Sequence, residues 1–339
     1  MKHNFTKYHE GALTGKSFLV TGGAGFIGSN IVQYLLEYGA GKVRVLDNLS
    51  NGYYKNIRPF EQYPNFEFLE GDIRDFETCM KALEGMDYVS HQAALGSVPR
   101  SIEDPIASNA VNISGFLNML NAAKESGVKG FVYAASSSTY GDSKQLPKVE
   151  ENIGNPLSPY AVTKYVNELY ANVFSEVYGM HSIGLRYFNV FGPKQDPNGA
   201  YAAVIPLFIQ ALVDEKSPVI NGDGLQTRDF TFVHNAVQAN IKAMFRCDSL
   251  KKHEVVNIAF GERTSLNELW DALNLAGGCN LEAIHGPNRM GDIRDSLANI
   301  EKARKLINYR PEFSMKKGLQ ITYDWFMASK EFIGETKRK

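Results

Sequence analysis

Thr21-Gly22-Gly23-Ala24-Gly25-Phe26-Ile27-Gly28 follows the apolar run Ser17-Phe18-Leu19-Val20 and precedes helical periodicity over about 26–38 that closes at Gly39. Gly22, Gly25 and Gly28 have the spacing G-x-x-G-x-x-G. A backbone without Cβ atoms turns tightly and can approach a pyrophosphate. The helix behind it offers unpaired N–H groups and a partial positive charge. A glycine triplet alone is a weak signal, since any tight turn uses glycine. The strand–turn–helix setting makes it a dinucleotide signature, with Gly22, Gly25, Phe26, Ile27 and Gly28 against the cofactor.

Outward from this turn the alternation continues. Val43-Arg44-Val45-Leu46 reads as a second strand and ends at Asp47, 19 residues after Gly28. A carboxylate there accepts hydrogen bonds from a ribose diol and repels a 2′-phosphate. Asn48 follows, with no adjacent arginine, so the expected cofactor is NAD rather than NADP. The plainer reading of Asp47 is a turn residue. Phe66-Glu67-Phe68-Leu69 is a third strand ending at Gly71-Asp72, where Asp72 and Ile73 would lie near adenine; Asp72 reads equally well as a solitary turn residue. Tyr88-Val89-Ser90-His91, Gly130-Phe131-Val132-Tyr133 and Ser182-Ile183-Gly184-Leu185-Arg186 extend the series. Helical segments are expected at 78–83, 109–126 and 160–178. Strands alternating with helices predict an α/β protein with a Rossmann-type, doubly wound parallel sheet.

After Asn189 the pattern loosens into Pro- and Gly-rich pieces such as Asn221-Gly222-Asp223-Gly224. This predicts a smaller, interleaved C-terminal substrate domain. The dinucleotide domain would span 15–188 with later contributions from about 226–260, including a late strand at Val255-Val256-Asn257-Ile258. The substrate domain would take 189–225 and 261–332.

The chain's 339 residues and 44% hydrophobic content suffice for a large core. Lys plus Arg is 36 and Asp plus Glu 37, a balance that argues against a nucleic-acid binder driven by bulk charge. Cys79, Cys247 and Cys279 make neither a disulfide framework nor a zinc site, so free thiols in a reducing cytoplasm and no metal are expected. Residues 1–15 lack the apolar run of a signal peptide, no stretch is long enough to span a bilayer, and 335–339 read as a solvated tail.

Tyr160 and Lys164 stand four apart on a helix announced by Ser158-Pro159, an N-cap followed by proline at the first helical position. That spacing puts both side chains on one face. A lysine cation, together with a positive nicotinamide, is expected to lower the tyrosine pKa so that Tyr160 serves as general base. Ser136, Ser137 and Ser138 end the strand that begins near Phe131, on the sheet edge where ligands sit. One of these hydroxyls is expected to meet the reacting oxygen; turn formation is the plainer role for the others.

Taken together, these elements resemble the extended short-chain dehydrogenase/reductase family over nearly the whole chain. His91-Gln92-Ala93-Ala94 is similar to that family's cofactor-flanking strand end, and Arg186-Tyr187-Phe188-Asn189-Val190-Phe191-Gly192-Pro193 to its signature after the sixth strand. The likeness is closer to bacterial UDP-N-acetylglucosamine 4-epimerases of surface-polysaccharide pathways, through Ala94-Leu95-Gly96-Ser97-Val98-Pro99-Arg100-Ser101, Ala134-Ala135-Ser136-Ser137-Ser138-Thr139-Tyr140-Gly141 and Asn198-Gly199-Ala200-Tyr201-Ala202-Ala203-Val204-Ile205-Pro206.

The resemblance implies NAD kept through the cycle and touched also by Gln92, Ala93, Ala94, Asn112 and Tyr187. It implies a homodimer through the helices containing Asn112 and Tyr160. It implies a UDP-sugar held by Asn189, Arg228 and Arg289, with Gly96, Ser97, Arg100, Ser136, Ala203, Val204, Asn221, Asp292 and Ser296 around it. Tyr160 would take the proton of the 4-hydroxyl while hydride leaves C4. The 4-keto sugar would turn over, and both would return to the other face. UDP-galactose 4-epimerases carry a lysine where Gly96 stands, so that contact is missing or replaced, with Ser97 and Arg100 as candidates. Ser296 stands where sugar-restricted epimerases carry a tyrosine, which implies room for an acetamido group.

Rival activities make different demands on these positions. A 4,6-dehydratase or a decarboxylase would want acids where Ser137 and Ser138 stand. A UDP-hexuronate 4-epimerase would need an extra cation, for which Arg100 is available, and a UDP-glucose 4-epimerase is a further alternative. A non-catalytic, NAD-sensing regulator on the same fold would not need Tyr160 and Lys164.

Overall fold

A computed structural model describes residues 5–197, 202–287 and 294–329. The elements run β1 (Ser17–Thr21), α1 (Phe26–Glu37), β2 (Lys42–Asp47), α2 (Tyr54–Ile57), β3 (Phe66–Glu70), α3 (Phe76–Leu83) and β4 (Tyr88–His91). Then come α4 (Val98–Glu103), α5 (Pro105–Asn109), α6 (Phe116–Glu125), β5 (Gly130–Ser136), α7 (Pro159–Tyr178) and β6 (Ser182–Tyr187). The remainder holds β7 (Val190–Phe191), α8 (Val204–Val213), β8 (Val219–Asn221), β9 (Thr227–Arg228), β10 (Thr231–Phe232), α9 (Val233–Cys247), β11 (Glu254–Ile258), β12 (Thr264–Ser265), α10 (Leu266–Gly277), β13 (Ile284–Gly286), α11 (Glu301–Ile307) and α12 (Met315–Ala328).

Seven strands form one parallel sheet in the order β11-β6-β5-β4-β1-β2-β3. The Rossmann-type fold expected from the sequence is the fold observed, with the late strand at 254–258 on its edge. The inner strands are short, mainly apolar runs because a parallel sheet buried on both faces has no solvent side to alternate against. Val43, Val45 and Leu46 of β2 and Phe131, Val132 and Tyr133 of β5 are all inaccessible to solvent.

Each face of the sheet carries its own core. Ile31, Val32 and Leu35 of α1 meet Val237, Ile241 and Met244 of α9 on one face. Leu83 of α3, Met119 and Leu120 of α6 and Phe174 of α7 cover the other. A third cluster holds Phe208 of α8, Trp270 of α10, Phe326 of α12 and Phe191 and Phe232 of the small strands. Phe26 and Val190, partly buried, pack against it.

One helix differs from its expected form. The segment 109–126 is not continuous α-helix: a wide turn at Ala110–Gly115, with π-type pairing, separates α5 from α6. Gly115 explains the local geometry. A Cβ there would lie 2.7 Å from the Ile73 side chain, so the helix passes this close only at a glycine. Such π turns are common near functional sites. Among the described residues no helix is long and apolar enough to cross a membrane, and no group of His, Cys, Asp and Glu could hold a metal ion.

Candidate active site

In this strand order the chain leaves β1 in one direction, towards β2 and β3, and β4 continues in the other. The carboxyl ends of β1 and β4 therefore flank the crevice at which such sheets bind ligands. A cavity of about 590 Å³ opens there, from Asp47 and Gly25 at one end to Ser136 and Tyr160 at the other.

The glycine turn is shaped by contacts with its own chain. Gly22 has φ +66°, and a Cβ on it would lie 2.7 Å from the Ala93 nitrogen. A Cβ on Gly28 would lie 2.2 Å from the Gly22 carbonyl oxygen. Helix α1 thus starts hard against the strand end. Its N-cap, Gly25, brings no side chain to its first N–H groups, and Gly25, Phe26, Ile27 and Gly28 all line the cavity. An uncapped helix N-terminus facing a cavity is an anion site. The residues present therefore fit the diphosphate of a dinucleotide.

Asp47 ends β2 at the rim. Its Oδ2 accepts from the Ala24 N–H at 2.9 Å and its Oδ1 from the Leu49 N–H at 2.8 Å. These bonds fix the carboxylate and leave each oxygen a lone pair for a diol. Burial raises its pKa, opposed by both N–H bonds. Asp72 also lines the cavity, but it is already engaged. Arg74 grips it through Nε and Nη2, Asn48 Nδ2 donates at 2.9 Å, and the carboxyl is lowered to about 2, chiefly by Arg74. Asn48 and Ile73 line the same wall.

Gln92, Ala93 and Ala94 follow β4 along the cavity, with Tyr187 opposite. The Tyr187 hydroxyl donates to Gln92 Oε1 at 3.1 Å and accepts from Asn240 Nδ2 at 2.7 Å. Gln92 in turn donates to Asn240 Oδ1 and to the Ser90 hydroxyl. Asn240 and Ser90 were not anticipated: each sits within an otherwise ordinary helix or strand, and no local pattern marks it. Asn112 does not line the cavity. It accepts from the Leu95 N–H at 2.8 Å and donates to the Leu95 carbonyl and to Thr163 Oγ1, so it holds the chain beside the site.

At the other end, Ser158 caps α7 by accepting from the Ala161 N–H, and Pro159 opens the helix. Tyr160 and Lys164 both reach the cavity. Lys164 Nζ donates to the Ala134 carbonyl at 2.8 Å and lies 6.0 Å from the Tyr160 ring centroid. Burial lowers its pKa to about 8. Ser136 hydrogen-bonds the Tyr160 side chain, and its Oγ also accepts from the Ser138 hydroxyl at 2.8 Å and the Ser138 N–H at 3.1 Å. Ser136 and Ser137 line the cavity; Ser138 stands behind them.

One electrostatic expectation is corrected here. Burial raises the Tyr160 pKa and the Ser136 bond opposes it only in part. The Lys164 ammonium donates to the Ala134 carbonyl and is itself desolvated, and at Tyr160 burial is the larger influence.

The expected sugar contacts are spread more widely. Gly96 and Asn189 line the cavity, and a Cβ on Gly96 would meet no atom within 4 Å. Asn189, at φ 37°, donates to the Asp229 carbonyl at 3.2 Å. Ser97 is occupied as the cap of α4, accepting from the Arg100 N–H. The Arg100 guanidinium donates to Asn51 Oδ1 at 2.7 Å, on the loop after β2. Ala203 and Val204 open α8 and Asn221 ends β8; none of them lines the cavity. Arg228 lies in β9 and donates to the Thr227 carbonyl. Ser296 is half-buried beside it, its N–H on the Thr227 carbonyl at 3.1 Å. Arg289 and Asp292 lie outside the described residues.

A family model for the NAD dependent epimerase/dehydratase family matches residues 18–259. The chain belongs to that family. The NAD dependent epimerase/dehydratase fold and its cofactor are thereby assigned, in agreement with the reading of Asp47. Similar proteins differ in the sugar they are named for. A UDP-glucose 4-epimerase of Mycolicibacterium smegmatis is 36% identical over 91% of this chain and 97% of its own length. A UDP-glucuronate 4-epimerase of Thermodesulfobacterium geofontis is 34% identical over 94% of this chain and 99% of its own. Among solved structures, a UDP-N-acetylglucosamine 4-epimerase of Methanobrevibacter ruminantium M1, in complex with UDP-N-acetylmuramic acid, is 38% identical with a TM-score of 0.87, covering 93% of this chain and 99% of that one.

Proposed function

We propose that this family member is a UDP-sugar 4-epimerase, and that its substrates are UDP-N-acetylglucosamine and UDP-N-acetylgalactosamine. The observation that carries the reading is the meeting of Ser136, Tyr160 and Lys164 at one end of a cavity whose other end is the glycine turn and Asp47. Held between the glycine turn, Asp47 and Tyr160, NAD would supply a reversible hydride acceptor for C4 of the sugar.

The chain's own residues supply the rest. Tyr160 takes the proton from the sugar O4 and returns it after the sugar has turned. Ser136 holds the phenol oxygen and the sugar oxygen together, with Ser138 orienting the Ser136 hydroxyl. Lys164, near neutrality, holds its ammonium beside the Ala134 carbonyl and the reacting end of the cavity. Both the hydride and the proton return to the sugar, so no net oxidation results. Substrate orientation then falls to the diphosphate anchor, for which Asn189, Arg228 and Arg289 are proposed; arginine suits bidentate phosphate contacts.

Two features support the acetylated substrates. Gly96 leaves open space against the cavity where a longer side chain would intrude. Ser296, beside β9 and outside the cavity lining, is far smaller than a tyrosine, which would leave room for an acetamide in both orientations of the turned sugar. We further propose a homodimer through the helices bearing Asn112 and Tyr160. Turnover of the acetylated and the non-acetylated UDP-hexose pairs tests the substrate choice, with kcat/KM as the measure. The acetylated pair should be preferred by wild type, and Ser296→Tyr should lose that pair while keeping the other. Equal loss on all four sugars, or an unchanged acetylated pair, overturns the role of Ser296. A wild-type preference for UDP-glucose or UDP-glucuronate overturns the substrate assignment.

A further inference from the structure

The mechanism uses neither Lys194 nor the pairing of Tyr53 with Asp196, yet these residues tie the two halves of the molecule together beside the cofactor wall. The loop after β2 forms part of that wall through Asn48, Ser50, Asn51 and Gly52. Its last residue before α2 is Tyr53, whose N–H donates to the Ala24 carbonyl in the glycine turn at 3.1 Å. The Tyr53 hydroxyl leaves the loop and donates to Asp196 Oδ2 at 2.5 Å. Asp196 belongs to the segment that follows β7, on the substrate side.

That segment is fixed to the cofactor half at two more points. Asn30 of α1 donates to the Pro193 carbonyl at 3.3 Å. Lys194 Nζ donates to Gln33 Oε1 at 3.0 Å and to the Ser29 carbonyl at 3.4 Å, and lies 5.0 Å from the centre of the Phe60 ring. Helix α1 is the one whose N-terminus faces the diphosphate, and the Tyr53 loop borders the ribose carboxylate: a Cβ on Gly52 would lie 3.1 Å from Asp47 Oδ2. One short segment therefore grips both elements that surround the cofactor's phosphates and ribose, from outside the cavity.

We propose that Pro193–Asp196 is a clasp that retains the cofactor, with Tyr53, Lys194 and Asp196 as positioning residues. For NAD to leave, the loop holding Ser50, Asn51 and Gly52 must swing away from the glycine turn. While Tyr53 is bound to Asp196, and Lys194 is seated on α1, that motion breaks a hydrogen bond to a carboxylate. Return of the hydride to the same sugar requires the same cofactor molecule to stay, which gives such a clasp its use. The inference rests on the family's cofactor and not on the choice of sugar.

Holoenzyme of wild type, Tyr53→Phe, Asp196→Asn and the double variant is passed into cofactor-free buffer, and the NAD remaining bound is followed with time. A hydrogen bond to a charged group at a partly exposed site corresponds to about a tenfold faster release for either single change. The double variant should release no faster than the singles, because both remove one bond. Melting temperature of the NAD-saturated protein and turnover in excess NAD should stay near wild type. Lys194→Met should also release faster; if that variant does not fold, Tyr53→Phe, which keeps the ring, decides alone. Wild-type release from both single variants overturns the clasp. So does a double variant whose effect is the product of the singles, or a raised KM for the sugar with NAD retention unchanged, since either assigns these residues another role.

Discussion

Tyr160 is a phenol that its own surroundings hold neutral. Burial raises it, Ser136 lowers it in part, and Lys164 spends its ammonium on the Ala134 carbonyl. Positive charge in the loaded site would favour the phenolate that takes the proton. Tyr160→Phe should keep fold and bound NAD yet lose about 10²–10⁴ in turnover; near-wild-type turnover would contradict the proton path. At this scale the sequence was legible wherever a backbone rule applied. Gly22 and Gly28 stand where a Cβ would strike Ala93 or the Gly22 carbonyl, and Ser158 caps α7 as expected. It was illegible where a partner comes from far away. Arg100 was read as a candidate contact to the sugar or cofactor; its guanidinium reaches Asn51 on the cavity wall, a partner no local pattern announces. Asn240 joins the Gln92–Tyr187 pair from another helix.

Among the elements, the ends of β1 and β4 matter most, because the crevice lies between them. They are pinned to each other by Thr21 Oγ1 and His91 Nδ1 at 2.9 Å. His91 is buried and neutral; burial first, then Lys164, pushes its pKa down to about 3 from 6.5. His253, just before β11 and bonded to Tyr133 of β5 and Ser182 of β6, is lowered by burial to about 4. In each case the folded imidazole refuses a proton that the unfolded one accepts below about 6.5. Stability is thus fully present above pH 6.5 and is lost as pH falls towards 4 and then 3. The melting temperature should drop between pH 7 and pH 5, and less steeply in His253→Asn than in wild type; parallel curves would remove His253 from the effect. The strands themselves were readable as apolar runs. The π turn at 110–115 was not, because its cause is the side chain of Ile73 against Gly115, a contact distant in sequence.

For the molecule as a whole, the strand–helix alternation foretold the parallel sheet, whereas the loop-rich second half was readable only as a region. Its core joins Phe191, Phe208, Trp270 and Phe326, residues brought together by long-range packing and by no local period. The N-terminal residues were likewise opaque: Tyr8 stacks on Tyr34 of α1 with ring centres 5.3 Å apart. Helix α7 leaves Val162, Leu169, Val173 and Val177 exposed along one side, a stripe that suits the proposed second copy of the chain. Replacing Leu169 and Val173 together by glutamate should convert dimers to monomers in sedimentation analysis; a wild-type chain that is already monomeric would contradict the dimer. On the proposed function, C4 is inverted by hydride that leaves and returns within one site. UDP-N-acetylglucosamine carrying deuterium at C4 should yield UDP-N-acetylgalactosamine that retains the deuterium at C4, with none exchanged into water, as read by NMR and mass spectrometry. Product that has lost the label, or no epimer at all, would contradict the account.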